Sequence, residues 1–198
     1  DQLLVERFDA AGLTDVVILS DYAKGVLSPH VCREIIGRCR DRGIPVVVDP
    51  KGRDYGRYAG ATAITPNQLE AAQAIGLSDS DELPLSKLDE FILGTLGIEA
   101  AIVTRSENGV AVLLPDGQVT SFPSTAVEVA DVTGAGDTFV ATFSLALGSG
   151  ATVVDSANLA NVAAGVVVGR VGAVAITPDE LRDALRAQSA KKARRTIR

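Results

Sequence analysis

Short, β-branched apolar runs alternate with longer amphipathic ones along this chain. That rhythm predicts an α/β fold, an open and mostly parallel sheet with helices on both faces. Two further observations support it. The strand-like runs are continuously apolar rather than alternating, as strands covered on both sides are. Aromatic residues make up only 4% of a chain that is 46% hydrophobic, so the core must be assembled from Val, Ile, Leu and Ala. With 198 residues and 22% charged, the chain suits one folded domain rather than a disordered segment.

Val16-Val17-Ile18-Leu19 reads as the first buried strand. Ser28 and Pro29 then supply an N-cap and a first-turn proline for a helix that Gly43 ends. Cys32, Ile35, Ile36 and Cys39 share its apolar face, while Arg33, Glu34, Arg38 and Arg40 point away. Strands follow at Pro45 to Val48 and Ala61 to Thr65, helices at about 67–75 and 85–96, then a strand at Ala100 to Thr104. The rhythm changes next. Val110 to Leu114, the turn Pro115-Asp116-Gly117, and Val119 to Phe122 predict a hairpin. Gly136 to Gly148, Ala151 to Arg170 and Pro178 to Gln188 read as helices. From Ser189 the apolar period is lost, so the domain is expected over 1–188, and 189–198 as a disordered basic tail or a linker.

Charge narrows the function classes. Lys and Arg number 19 against 25 Asp and Glu, a net of −6. Five of the basic residues, Lys191, Lys192, Arg194, Arg195 and Arg198, lie at the end. Taking those five from the 19 leaves 14 basic against 25 acidic residues in 1–190, a net of −11. No basic face is available there for a nucleic-acid backbone. The longest apolar run, Val162 to Gly169, is closed by Arg170 and falls far short of the roughly 18 residues of a membrane span. Asp1-Gln2-Leu3-Leu4 has neither the basic start nor the apolar stretch of a signal peptide. Cys32 and Cys39 lie two turns apart on one helix, roughly 10 Å between α-carbons, too far for a disulfide. A metal site would need ligands beyond them and the single His30. Two reduced cysteines predict a cytoplasmic protein.

The most informative segment is Asp131-Val132-Thr133-Gly134-Ala135-Gly136-Asp137, followed by an apolar helical pattern. Small residues before a helix leave its first N–H groups uncovered, and with the helix dipole these can hold a developing anion. Asp137 falls in the first turn beside that site, where a carboxylate can accept a proton from an attacking hydroxyl. An ordinary glycine-rich loop with an Asp favoured by the dipole fits the same residues. Thr65-Pro66-Asn67-Gln68-Leu69-Glu70 follows a strand, and Asn67 with Glu70 has the spacing of a capping box. Asp49-Pro50-Lys51-Gly52 and Thr104-Arg105-Ser106-Glu107 each end a strand, where open α/β sheets bind ligands. A salt-bridged surface turn fits Asp49 to Gly52 equally.

The whole segment from Asp131 to Asp137 resembles the signature of the ribokinase-like (PfkB-type) carbohydrate kinases. The resemblance implies that Gly134, Ala135 and Gly136 form an anion hole and that Asp137 is the catalytic base, in contact with the sugar. It implies ATP and Mg²⁺ as cofactors, and a monovalent cation. N-x-x-E at Asn67 to Glu70 would organise Mg²⁺ and its waters around the nucleotide phosphates, led by Glu70, with Asp49 near the metal and Lys51 near phosphate charge. Thr104 and Ser106 would lie on the nucleotide phosphates, Ser106 standing where many members have Gly. Asn161 matches the position that borders the adenine, although a lone helix Asn is more often simply satisfied locally. No Walker-type GxxxxGK[ST] occurs, in keeping with this family.

Local wording resembles one branch, the kinases of heptose 7-phosphate that feed ADP-heptose synthesis. The matching stretches include Asp21-Tyr22-Ala23-Lys24-Gly25, Val48 to Gly52, Val103 to Glu107 and Ala163 to Gly169. By this resemblance the acceptor is O1 of D-glycero-D-manno-heptose 7-phosphate, with Lys24 near the sugar phosphate. The partners are ATP and a small sugar phosphate, with no nucleic acid or membrane, in a homodimer. The resemblance spans residues 5 to 188. The segment with which members begin, holding the first strands, the β lid and most sugar ligands, is not recognisable. The chain is therefore expected to be the C-terminal two-thirds of the family domain, with one apolar sheet edge unpaired, binding ATP without phosphorylating sugar by itself. Another sugar or nucleoside kinase of this fold, and a non-catalytic nucleotide-binding remnant, are the rival readings.

Overall fold

A computed structural model describes residues 1–12, 14–78, 83–126 and 129–196. Six strands lie in one sheet in chain order: β1 (Val17–Ser20), β2 (Val46–Asp49), β3 (Ala63–Ile64), β4 (Ala100–Thr104), β5 (Val110–Leu113) and β6 (Val119–Phe122). The first four run parallel, with Val17 opposite Val46 and Ser20 opposite Asp49. β5 and β6 add an antiparallel hairpin to β4. The helices are α1 (Gln2–Ala10), α2 (Pro29–Asp41), α3 (Gln68–Ala74), α4 (Leu85–Asp89, continuing as a π-helical turn over Glu90–Thr95), α5 (Ala135–Gly148), α6 (Val153–Val167) and α7 (Pro178–Thr196).

The period of two along a strand deals its side chains to two cores. Val46 and Val48 of β2 pack with Val31, Cys32, Ile35 and Cys39 of α2, Ala71 of α3 and Leu88 of α4. Val47 faces the other way, into a second core with Ile102, Val112, Phe139, Phe143, Ala157 and Ala160. The sheet is thus covered on both faces, by α2 to α4 on one side and α5 and α6 on the other. Local chemistry sets the ends. Ser28 Oγ accepts from the Val31 N–H at 3.2 Å to cap α2. At Gly165 a Cβ would lie 2.0 Å from Thr125 Oγ1, so only glycine lets α6 close on the segment after β6.

Several boundaries depart from the sequence expectation. α1 has no counterpart in it, because only Val5 of this helix is buried and the apolar period is faint. Phe8 packs it against the core beneath Arg42, and Asp9 pairs with Arg38 at 3.2 Å and Arg42 at 3.0 Å on α2. α6 stops at Val167, three residues early, and β3 is two residues long. The last helix does not end at Gln188. It runs to Thr196, so most of the basic tail is helical; Ile197 and Arg198 lie outside the described residues. Ala, Gln, Lys and Arg there favour helix by intrinsic propensity, which needs no apolar stripe. At the β1 edge of the sheet no further strand pairs among the described residues, and Ile18 is 42% exposed. Among the described residues no helix is long and apolar enough to cross a membrane.

Candidate functional site

The carboxyl ends of β1, β2 and β4 and the first turns of α3 and α5 bring most of the sequence-predicted residues together. Asp21, just after β1, is 5% exposed. Its Oδ1 accepts from the Ala23 N–H at 2.7 Å, and its Oδ2 accepts from the Tyr58 hydroxyl at 2.6 Å and lies 3.3 Å from Arg57 Nη1. Arg57 also donates to the Lys51 carbonyl at 3.0 Å and lies over the Tyr58 ring. One guanidinium thereby fixes the loop carrying Lys51 to the turn after β1.

Asp49 ends β2, half-buried. Its carboxyl is pushed up to about 6, first by burial and then by the negative charges of Glu70 and Asp137, with Lys51 offsetting part of the effect. Glu70 has two tasks. Its Oε2 accepts from the Asn67 N–H at 3.0 Å while Asn67 Oδ1 accepts from the Glu70 N–H at 2.9 Å, a complete capping box. Its Oε1 takes the Lys51 ammonium at 2.7 Å. Thr104 adjoins this helix start, its N–H donating to the Pro66 carbonyl at 3.0 Å. Ser106 follows in a 3-10 turn with φ +49°, a left-handed conformation that would suit glycine.

The loop before α5 is tied down. Asp131 Oδ1 accepts from the Thr133 N–H at 2.9 Å and Oδ2 from the Gly172 N–H at 3.0 Å, while the Ala130 and Asp131 N–H groups donate to the Val168 carbonyl. The hydrogen bonds from Thr133 and Gly172 hold the Asp131 carboxyl below the usual carboxylate range. Gly134 caps the helix at φ +77°, where a side chain would be strained. Among the described residues the Gly134 and Gly136 N–H groups have no acceptor, whereas that of Ala135 donates to the Val132 carbonyl at 3.2 Å. Asp137 stands exposed in the first turn, its Oδ1 accepting from the Tyr22 hydroxyl at 3.2 Å. Lys24 is exposed on the same turn as Tyr22, with no ion-pair partner among the described residues. Asn161 is not drawn to this cluster. It is buried in α6 and donates to the Pro123 carbonyl at 2.9 Å.

Asp21, Tyr22, Arg57 and Tyr58 were not singled out as site residues by the sequence. Asp21 and Tyr22 stood inside a noticed motif, but Arg57 and Tyr58 lie in a stretch without pattern and reach Asp21 only through the path of the chain. The carboxylates fit a hard divalent cation. Burial first, and then the charges of Glu70 and Asp137, raise the Asp49 carboxyl, and a cation bound among them would offset both. Among the described residues no three acidic, His or Cys side chains form a metal cluster.

The pfkB family carbohydrate kinase profile matches residues 1–180. The chain belongs to this family. Two curated relatives, each named bifunctional protein HldE, are 49% identical over 84% of the chain in Geobacter metallireducens and 50% identical over 86% in Paramagnetospirillum magneticum. The chain spans only 34% and 35% of their lengths. Among solved structures, ribokinase of Arabidopsis thaliana with ribose and ATP superposes with a TM-score of 0.75, at 22% identity over 87% of this chain and 56% of that one. Phosphofructokinase-2 of Escherichia coli with potassium gives 0.81, at 17% identity over 95% of this chain and 62% of that one. These two likenesses establish the fold: the pfkB chain has the ribokinase-like architecture. Its glycine loop and N-x-x-E segment lie at the same open end of the sheet.

Proposed function

We propose that this pfkB-family chain supplies the nucleotide-binding and catalytic part of an ATP-dependent phosphoryl transfer to a sugar hydroxyl, O1 of D-glycero-D-manno-heptose 7-phosphate, as a step toward ADP-heptose. The observation that carries the reading is Asp137, an exposed carboxylate in the first turn of α5, directly after the Gly134 and Gly136 N–H groups that have no acceptor among the described residues. Base and anion site adjoin there. In this reading Asp137 takes the proton from the attacking hydroxyl, whose oxygen bonds to the γ-phosphorus as the bond to the ADP oxygen breaks. Gly134 and Gly136 N–H groups hold the charge that gathers on the phosphoryl oxygens, and Ala135 joins them once its bond to Val132 opens. Lys51 and the backbone near Thr104 and Ser106 line the phosphate side, Asn161 the base side, and Lys24 the sugar phosphate. Mg²⁺, held through Glu70 with Asp49 nearby, supplies neutralisation of the phosphate charge when bound.

Support for the acceptor comes from the HldE relatives at 49% and 50% identity and from the turn Asp21 to Gly25. The family likeness supports a monovalent cation and a homodimer, and the free, buried Cys32 and Cys39 support a cytoplasmic setting. The test is Asp137→Asn in the full-length protein. It keeps the size of the side chain and removes the proton acceptor, so turnover should fall by about 10²–10⁴-fold while nucleotide affinity changes little. Retention of most activity would remove Asp137 from the reaction.

A further inference from the structure

We infer that Tyr22 is a positioning residue for Asp137: its hydroxyl fixes one carboxylate oxygen and so leaves the other to meet the acceptor hydroxyl. This rests on Asp137 being the base. The contact is specific, the Tyr22 hydroxyl donating to Asp137 Oδ1 at 3.2 Å across 115 residues of sequence, while Oδ2 accepts no hydrogen bond among the described residues. A carboxylate that must take a proton along one direction gains from a donor on its other oxygen, because rotation about the last side-chain bond would exchange the two.

The turn that presents Tyr22 is built to hold still. Asp21 closes it by accepting the Ala23 N–H at 2.7 Å, with Ala23 at φ +53°. Asp21 is itself gripped by Tyr58 at 2.6 Å and Arg57 at 3.3 Å, and its own N–H donates to the Asp49 carbonyl at 2.9 Å. A buried network under β1 and β2 therefore ends in a hydroxyl aimed at the rim of α5. Tyr22 is 64% exposed, and the hydrogen bond from its hydroxyl to Asp137 ties it to α5.

The experiment is Tyr22→Phe in the full-length protein, measured beside Asp137→Asn, with melting temperatures for both. Tyr22→Phe removes the hydroxyl and keeps the ring. We expect kcat to fall about tenfold, the scale of one hydrogen bond to a charged group, with KM for ATP and for the sugar phosphate within about twofold and the melting temperature unchanged. A Tyr22→Phe enzyme with wild-type kcat, beside an Asp137→Asn enzyme that has collapsed, overturns the inference and leaves the base assignment standing. A rise in KM alone makes Tyr22 a substrate ligand instead and equally overturns it. An active Asp137→Asn enzyme overturns the base assignment and this inference with it.

Discussion

Asp21 and Asp137 are two carboxylates at the same end of the sheet, linked by one turn, and the chain treats them oppositely. Asp21 is 5% exposed and surrounded by a peptide N–H, a phenol and a guanidinium, so its charge is fully used in holding two loops together. Asp137 is exposed and has one side-chain partner. On the β1–β2 side the polar groups are paired with one another, whereas the α5 rim keeps an oxygen and two peptide N–H groups without partners among the described residues. Groups already satisfied make structure; groups left open are the ones available for chemistry.

The largest expected break of this contrast is Asp21→Ala, which leaves Arg57 and Tyr58 without their anion. Urea unfolding should show a loss of about 3 kcal/mol, whereas Asp137→Asn should change stability by no more than about 0.5 kcal/mol. Equal losses at the two positions would erase the distinction between the β1–β2 side and the rim.

Asp49 sharpens it next. Its carboxyl is pushed up to about 6 from 3.8, so the folded protein binds an extra proton between those values and its stability should fall as pH rises from about 4 to about 6. Asp49→Asn should flatten that slope and stabilise the protein at neutral pH by about 1 kcal/mol, allowing for solvent around a half-buried group. Glu70→Gln separates the two duties of that residue. Gln still closes a capping box, and the lost Lys51 pair is half-exposed, so stability should move by less than about 0.5 kcal/mol while turnover needs more Mg²⁺. Unfolding with unchanged metal dependence would make Glu70 a cap only. Ser106→Gly should relieve the left-handed backbone and add about 0.5 kcal/mol.

How much of this was legible in the sequence depended on the range of each interaction. Val46 to Val48 announced a strand covered on both faces because burial leaves no alternation to dilute the signal. Asn67 and Glu70 announced a helix start because cap and carboxylate are three residues apart. α1 is not legible because its only apolar anchors are Val5 and Phe8, too few for a helical period. The tail of α7 stayed hidden because its propensity is not periodic. At the site, the loop from Asp131 to Asp137 carried its meaning locally. The Tyr22–Asp137 and Asp21–Tyr58 contacts span 115 and 37 residues, and nothing in either stretch points to the other.

The most direct measurement is ADP formation by the full-length protein with Mg²⁺ and ATP, with and without D-glycero-D-manno-heptose 7-phosphate, and with the phosphorylated product identified by mass. One ADP should form for each heptose 1,7-bisphosphate, with little ADP in the absence of acceptor and loss of both products in Asp137→Asn. ADP released at the same rate with or without acceptor, or no phosphoryl transfer to any sugar phosphate offered, would contradict it.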